Sequence, residues 1–188
     1  MRKKAKNNRL KMKIKMTEII LNIVEDEPRW AENIADIGAV VEEVKEAAFT
    51  YVKAKENLPI LQAEKPLKVN LCLSNDAKVQ ELNRDFRGLD KPTNVLSFAN
   101  LDYADFAEQN SPFAEIELGD IIIAYETMAK EAEEENITLY AHFCHLLAHG
   151  FLHILGYDHI ADDEAEYMEN LEKAILQKLD IADPYVQE

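Results

Sequence analysis

Apolar and polar positions along the chain fall into short alternating stretches and longer stretches with helical period. Ile19-Ile20-Leu21-Asn22-Ile23-Val24 is rich in β-branched residues and predicts a first strand. Leu67, Val69, Leu71 and Leu73 alternate with Lys68, Asn70 and Cys72, the pattern of a half-buried strand. Val95–Phe98 predicts a short strand, and Glu115–Ala124, dominated by Ile121-Ile122-Ile123, predicts the last and most apolar one. After Pro28 and Trp30, residues Val40, Val41, Val44, Ala47, Ala48 and Tyr51 follow the spacing of a helix of about twenty residues. A second helix, capped by Ser74 or Asn75, runs through Ala77, Val79 and Leu82 and ends near Arg87-Gly88. Glu126–Glu135 predicts a third. Thr138 caps the next, and Asp163 with Glu166 resembles a capping box for a final helix running toward Leu179. Leu89–Asn94 has turn chemistry, and Asn100–Pro112, acidic and irregular, reads as a mobile loop. No internal repeat or second domain emerges, so the pattern is one α/β domain with about four strands and helices packed on them.

One predicted helix differs from the rest. From Ala141 to Gly156 the side chains with strong hydrogen-bonding groups are His142, His145, His149 and His153, and all the others are Ala, Phe, Cys, Leu, Gly or Ile. A helix apolar nearly all round is a buried helix, and buried imidazoles need partners. His149 and His153, four residues apart, lie one turn apart on one face. Gly156 stands where that helix ends, because glycine enters the left-handed cap conformation freely, and the turn it allows can bring His159 back.

An H-x-x-x-H pair by itself is more often a pair of ordinary core or surface histidines. The third histidine past a glycine turn makes His149, His153 and His159 a ligand set for zinc, with a fourth position open to water whose pKa falls to about 7. Imidazoles also suit nickel, copper and iron, so zinc is inferred from ligand type. His145, one turn before His149, is expected to support the site by orienting a ligand, holding a water or approaching substrate. Its ordinary reading is a histidine satisfied by backbone or solvent. Asp158 and Asp120 are candidate partners for ligand N–H groups, with turn capping as the ordinary alternative. Cys144 reads as a small buried hydrophobe and Met168 as core.

Composition narrows the classes. A chain of 188 residues that is 47% hydrophobic can build one domain with a real core. No apolar run is long enough to cross a bilayer, so no membrane partner is expected. Two cysteines make no disulfide framework, which points to a reducing, cytoplasmic setting. Charge is uneven. Residues 1–16 hold eight of the 21 Lys and Arg and no acid, so residues 17–188 carry 13 basic against 36 acidic side chains, a net −23. The arm is expected to be disordered and able to touch an anionic polymer, or else translation begins at Met12 or Met16 and the arm is an artefact. It is not a secretory signal, since no apolar stretch follows the charges.

Three segments then carry a resemblance. They are Leu82-Asn83-x-x-Phe86-Arg87-Gly88-x-Asp90-Lys91-Pro92-Thr93-Asn94-Val95-Leu96-Ser97-Phe98, Leu118-Gly119-Asp120-Ile121, and His149-Gly150-x-Leu152-His153-x-x-Gly156-Tyr157-Asp158-His159. Together, and over a span from Ile19 to the last helix, they resemble the YbeY family of bacterial endoribonucleases. The resemblance implies a single three-layer α/β (α+β) domain over residues 17–188, with about four strands in a mixed sheet, five or six helices and a buried histidine helix. It implies zinc on His149, His153 and His159, and Arg87 in a catalytic cleft. It also implies cleavage of single-stranded RNA in maturing the 3′ end of small-subunit ribosomal RNA, and ribosome quality control, with the ribosome or its proteins as partners. Ala99-Asn100 departs from the pattern where relatives carry proline, an exchange expected to loosen the strand's exit. The basic arm is outside the pattern and inherits no role.

Arg87 can grip a phosphate in bidentate fashion and neutralise charge growing in a transition state. On spacing alone it would be a solvated cation beside Asp85 and Asp90, and only the resemblance reverses that reading. A metzincin-like protease shares the histidine spacing, but places glutamate after the first histidine, where this chain has Gly150. A ribosome-associated assembly factor with a structural metal is the other alternative. RNA affinity draws on Lys and Arg, so an acidic body that binds RNA is expected to concentrate positive charge near Arg84, Arg87 and Lys91.

Overall fold

The computed structural model describes residues 17–102 and 114–186. The basic arm and residues 103–112 of the expected loop lie outside the described residues. Four strands form one sheet: β1 (Ile19–Glu25), β2 (Leu67–Ser74), β3 (Val95–Ala99) and β4 (Ile116–Ala124). Their order is β1-β2-β4-β3. β1, β2 and β4 run parallel, and β3 closes the edge antiparallel to β4. Parallel neighbours require helical crossovers. These are supplied by α1 (Arg29–Asn33) and α2 (Ile37–Lys55) between β1 and β2, and by α3 (Asp76–Arg87) after β2. After β4 come α4 (Tyr125–Glu134), α5 (Leu139–Ile154) and α6 (Asp162–Gln177).

Alternation along β4 divides the molecule into layers. Ile121 and Ile123 join the main core under α2, α5 and α6, while Ile122 and Ala124 turn to the other face and meet Val79 of α3 and Leu96 of β3. α6 packs across both α2 and α5. The result is the expected three-layer arrangement of a four-stranded mixed sheet with six α-helices among the described residues. No helix among them is long and apolar enough to cross a membrane.

The helix expected after Pro28 and Trp30, of about twenty residues, is α2, and the short α1 precedes it. Trp30 is fully buried, donates its indole N–H to the Ser74 carbonyl at 3.0 Å, and meets the rings of Tyr125 and Phe143. α1 ends at Asn33, and the chain passes an extended Ile34 and a left-handed Asp36 before α2 begins. Asn75 rather than Ser74 caps α3, accepting from the Lys78 N–H at 3.1 Å, and Thr138 caps α5 as expected. The cap of α6 differs from expectation. It is Ala161, whose N–H is taken by Glu164 at 3.3 Å, and Asp163 lies inside the first turn. Alanine has no acceptor, so only the returning half of a capping box forms. At Asn100 the strand's exit is held: its amide donates to the Glu117 carbonyl at 3.0 Å, across the neighbouring strand.

Candidate metal centre

The histidine helix is α5, and Gly150 sets its orientation. A Cβ at position 150 would stand 2.9 Å from Ile121 Cγ2, so only glycine lets the helix settle this closely on β4. With position 150 facing the sheet, His149 and His153 are carried on the flank, about 100° per residue away around the helix. Beyond Ile154 the chain turns through Gly156 (φ +90), with Gly156 N–H donating to the His153 carbonyl at 2.9 Å and Tyr157 N–H to the Leu152 carbonyl at 3.1 Å. The turn returns His159 to its two partners. Ring centroids are 4.5 Å apart for His149–His153, 5.4 Å for His149–His159 and 5.1 Å for His153–His159. One nitrogen from each ring lies within 4.8 Å of the others, close enough to share one ion.

Hydrogen bonding selects the tautomers. His149 Nδ1 is 2.8 Å from a carboxylate oxygen of Glu172, and His153 Nδ1 is 2.9 Å from the Tyr157 carbonyl. Both oxygens can only accept, so both Nδ1 atoms carry the proton and both Nε2 atoms present lone pairs. Those two Nε2 atoms face each other at 3.0 Å. Two lone pairs so placed repel unless a cation lies between them. Tetrahedral ligands at zinc–nitrogen distances stand ~3.3 Å apart, so the donor set fits that ion. Burial, with His149 and His159 alongside, lowers the His153 pKa to about 4, which keeps the ring neutral and ready as a ligand.

Comparison with known proteins gives the family of the chain. The sequence profile of the family described as Endoribonuclease YbeY matches residues 22–180. The chain belongs to that family. It is 44% identical to endoribonuclease YbeY of Paramagnetospirillum magneticum over 158 residues, 84% of this chain and 90% of the relative. Against endoribonuclease YbeY of Sinorhizobium medicae the identity is 41% over 170 residues, 90% of this chain and 96% of the relative. The solution structure of TM1509 from Thermotoga maritima is similar in fold, with TM-score 0.50 and 22% identity over 89% of this chain and 100% of that one.

Around the three histidines of this YbeY-family chain, the N–H partners are not those expected. Asp120 is bound to Asn70 at 2.8 Å, and because it alternates with Ile121 it points away from α5. Asp158 accepts the backbone N–H of His159 at 2.7 Å, a turn-capping role. The partner of His149 is Glu172 on α6, which sequence reasoning missed. A signal existed: Met168, Leu171, Ile175 and Leu176 form the buried stripe of α6, and a carboxylate sits in its middle. Glu172 is 1% exposed. Burial pushes its carboxyl up, but hydrogen bonds from His145, His149 and Tyr185 outweigh that and hold it at about 2.

His145 is drawn into the site through the same carboxylate, its Nε2 lying 2.8 Å from Glu172 Oε2. His142 is buried apart from the ligands, paired with Glu131 at 2.9 Å, and Glu131 also accepts from Asn94 at 2.9 Å. Cys144 is fully buried, its thiol pushed up to about 12 by burial, as suits a core hydrophobe. Met168 is likewise core. Arg87 ends α3, exposed, and donates to the Ser97 carbonyl of β3 at 3.4 Å. Among the described residues it forms no ion pair and no hydrogen bond to the three histidines. β3 is also the edge strand against which α5 packs, so Arg87 and the histidine helix meet the same strand.

Proposed function

We propose that this chain is a zinc-dependent endoribonuclease that cuts single-stranded RNA in the maturation of ribosomal RNA, at the 3′ end of the small-subunit species, and serves ribosome quality control. The observation that carries this reading is the convergence of His149, His153 and His159, with two Nε2 lone pairs facing one another. The relatives' description as endoribonucleases supplies the reaction class. A zinc ion on the three imidazoles supplies Lewis acidity beside an RNA phosphate. The chain's own residues do the rest. Glu172 and the Tyr157 carbonyl hold the ring protons on the Nδ1 atoms, which keeps each Nε2 available. Arg87, with no carboxylate partner among the described residues, is placed to grip a phosphate and to offset charge that grows as the ester breaks. His145 steadies Glu172 from its far oxygen.

The RNA surface is the end of α3 and the turn after it. Arg84 and Arg87 are exposed one turn apart, and Lys91 follows in a turn that Asn83 holds by donating to the Lys91 carbonyl at 2.8 Å. Phe86 among them is 69% exposed and stacks edge-on to Phe98, a face on which a base can lie. This corner meets phosphate while the rest of the body is acidic. Free thiols at Cys72 and Cys144 suit a reducing cytoplasm. The protease reading loses ground, because a glutamate at 150 would be driven into Ile121.

The test is nuclease-free protein, purified without a metal-affinity tag, incubated with single-stranded RNA and separately with casein. RNA cleavage is expected, with His149→Ala reducing it more than about a hundredfold, beyond what loss of an outer partner costs. Elemental analysis is expected to find zinc in the parent and not in the variant. Arg87→Ala is expected to slow cleavage by about 10²–10³-fold while zinc content stays the same. Casein cleavage would favour the protease. Cleavage of neither substrate would leave an assembly factor with a structural metal.

A further inference from the structure

The last described residues return to the metal centre. Past the end of α6, Asp180 is left-handed (φ 56) and the Ile181 N–H donates to the Leu176 carbonyl at 3.0 Å, which reverses the chain. Leu179 and Ile181 pack on the core. Tyr185, its backbone N–H bound to Asp183 at 2.9 Å, then lays its ring 5.6 Å from that of His145 and 5.0 Å from the Lys173 ammonium. Its hydroxyl donates to Glu172 Oε2, the oxygen that also takes His145 Nε2 at 2.8 Å. Glu172 Oε1 is thereby left to His149 Nδ1, at 2.8 Å. Tyr185 lies past residue 180, where the match to the family profile stops.

We propose that the C-terminal tail is part of the metal centre, with Tyr185 as a positioning residue that holds Glu172 against His149. The inference rests on the metal-centre reading above. Two donors on Oε2 fix the plane of a carboxylate that is 1% exposed, and that plane aims Oε1 at Nδ1 and so aims the Nε2 lone pair at the ion. With a single donor on Oε2 the carboxylate can swing, and binding an ion must then order it. The coupling runs both ways: an ion that holds His149 also holds the tail.

Full-length Tyr185→Phe, the parent and His149→Ala are compared for zinc affinity by competition with a chromophoric chelator, and each metal-free protein is melted. Tyr185→Phe is expected to bind zinc roughly tenfold more weakly, at the lower end for loss of an outer partner. Its metal-free melting temperature is expected to fall by at most a few degrees, because His145 still holds Oε2. In the parent, zinc is also expected to slow hydrogen exchange over residues 181–185, and in His149→Ala to leave it unchanged. Parent-like zinc affinity in Tyr185→Phe overturns the proposal. So does a loss of affinity matched by an equal loss of metal-free stability, which marks a merely structural tyrosine. Failure of the parent itself to bind zinc sinks the metal-centre reading, and the tail's role with it.

Discussion

Replacing Glu172 by glutamine is expected to weaken zinc binding by about 10–100-fold and to destabilise the metal-free protein by about 1–3 kcal/mol. The carboxylate accepts from His145, His149 and Tyr185 at a position 1% exposed. Glutamine keeps the shape but brings an amide N–H₂ to a place where three donors already converge. An amide N–H then faces a donor unless His145 or Tyr185 turns its own proton away, which breaks the present network. If the amide oxygen stays with His149, the clash falls on His145 and Tyr185; if it turns over, His149 Nδ1 loses its acceptor and the ring its orientation. Either way the loss reaches the ion through the His149 ring, whose orientation and basicity the carboxylate sets. Chelator competition reads the first effect and urea unfolding of the metal-free protein the second. Unchanged zinc affinity would mean that Glu172 merely fills space.

A larger loss of stability is expected at a residue far from the histidines in the chain. Lys68 faces Glu117 and Val69 faces Gly119, so β4 carries one extra residue, Leu118, at a bulge. Gly119 adopts φ +147, a conformation open essentially to glycine alone. A Cβ there would stand 2.1 Å from the Phe98 carbonyl oxygen and 2.8 Å from Ile154 Cδ1. The first contact is backbone and cannot move aside. Gly119→Ala must therefore part β3 from β4, adding lost pairing to strained backbone, and is expected to cost at least about 3 kcal/mol. For a domain of this size that is a fall in melting temperature of roughly 6–12 °C. Calorimetry of the purified variant checks it, and a fall of a degree or two would refute the argument from close approach. The displaced strand is the one whose Ser97 carbonyl holds Arg87, so RNA cleavage is expected to fall along with stability.

Under the proposed function, the acidic body would meet RNA through a local basic corner. Arg84, Arg87 and Lys91 cluster at one end of α3 with an exposed Phe86, although Arg84 is engaged with Asp85 at 3.0 Å. An RNA strand that meets this corner is attracted there and repelled elsewhere, which confines it to one path.

What the sequence determined by itself is whatever depends on near neighbours. Alternation at Leu67–Ser74, the caps at Asn75 and Thr138, and the spacing of His149, His153 and His159 across a glycine turn all act within a few residues. At that range the backbone geometry is nearly the same in every fold, so pattern translates directly into structure. Tertiary structure alone decided that β4 lies between β2 and β3, that the Trp30 indole reaches the Ser74 carbonyl, and that Gly119 and Gly150 are contact points between layers. It also decided who holds the histidines. Glu172 and Tyr185 stand 23 and 36 residues beyond His149 in the chain, and no spacing rule connects them to it. Their meeting depends on how α6 lies across α5 and where the tail turns back, and that angle is settled by the summed packing of the core.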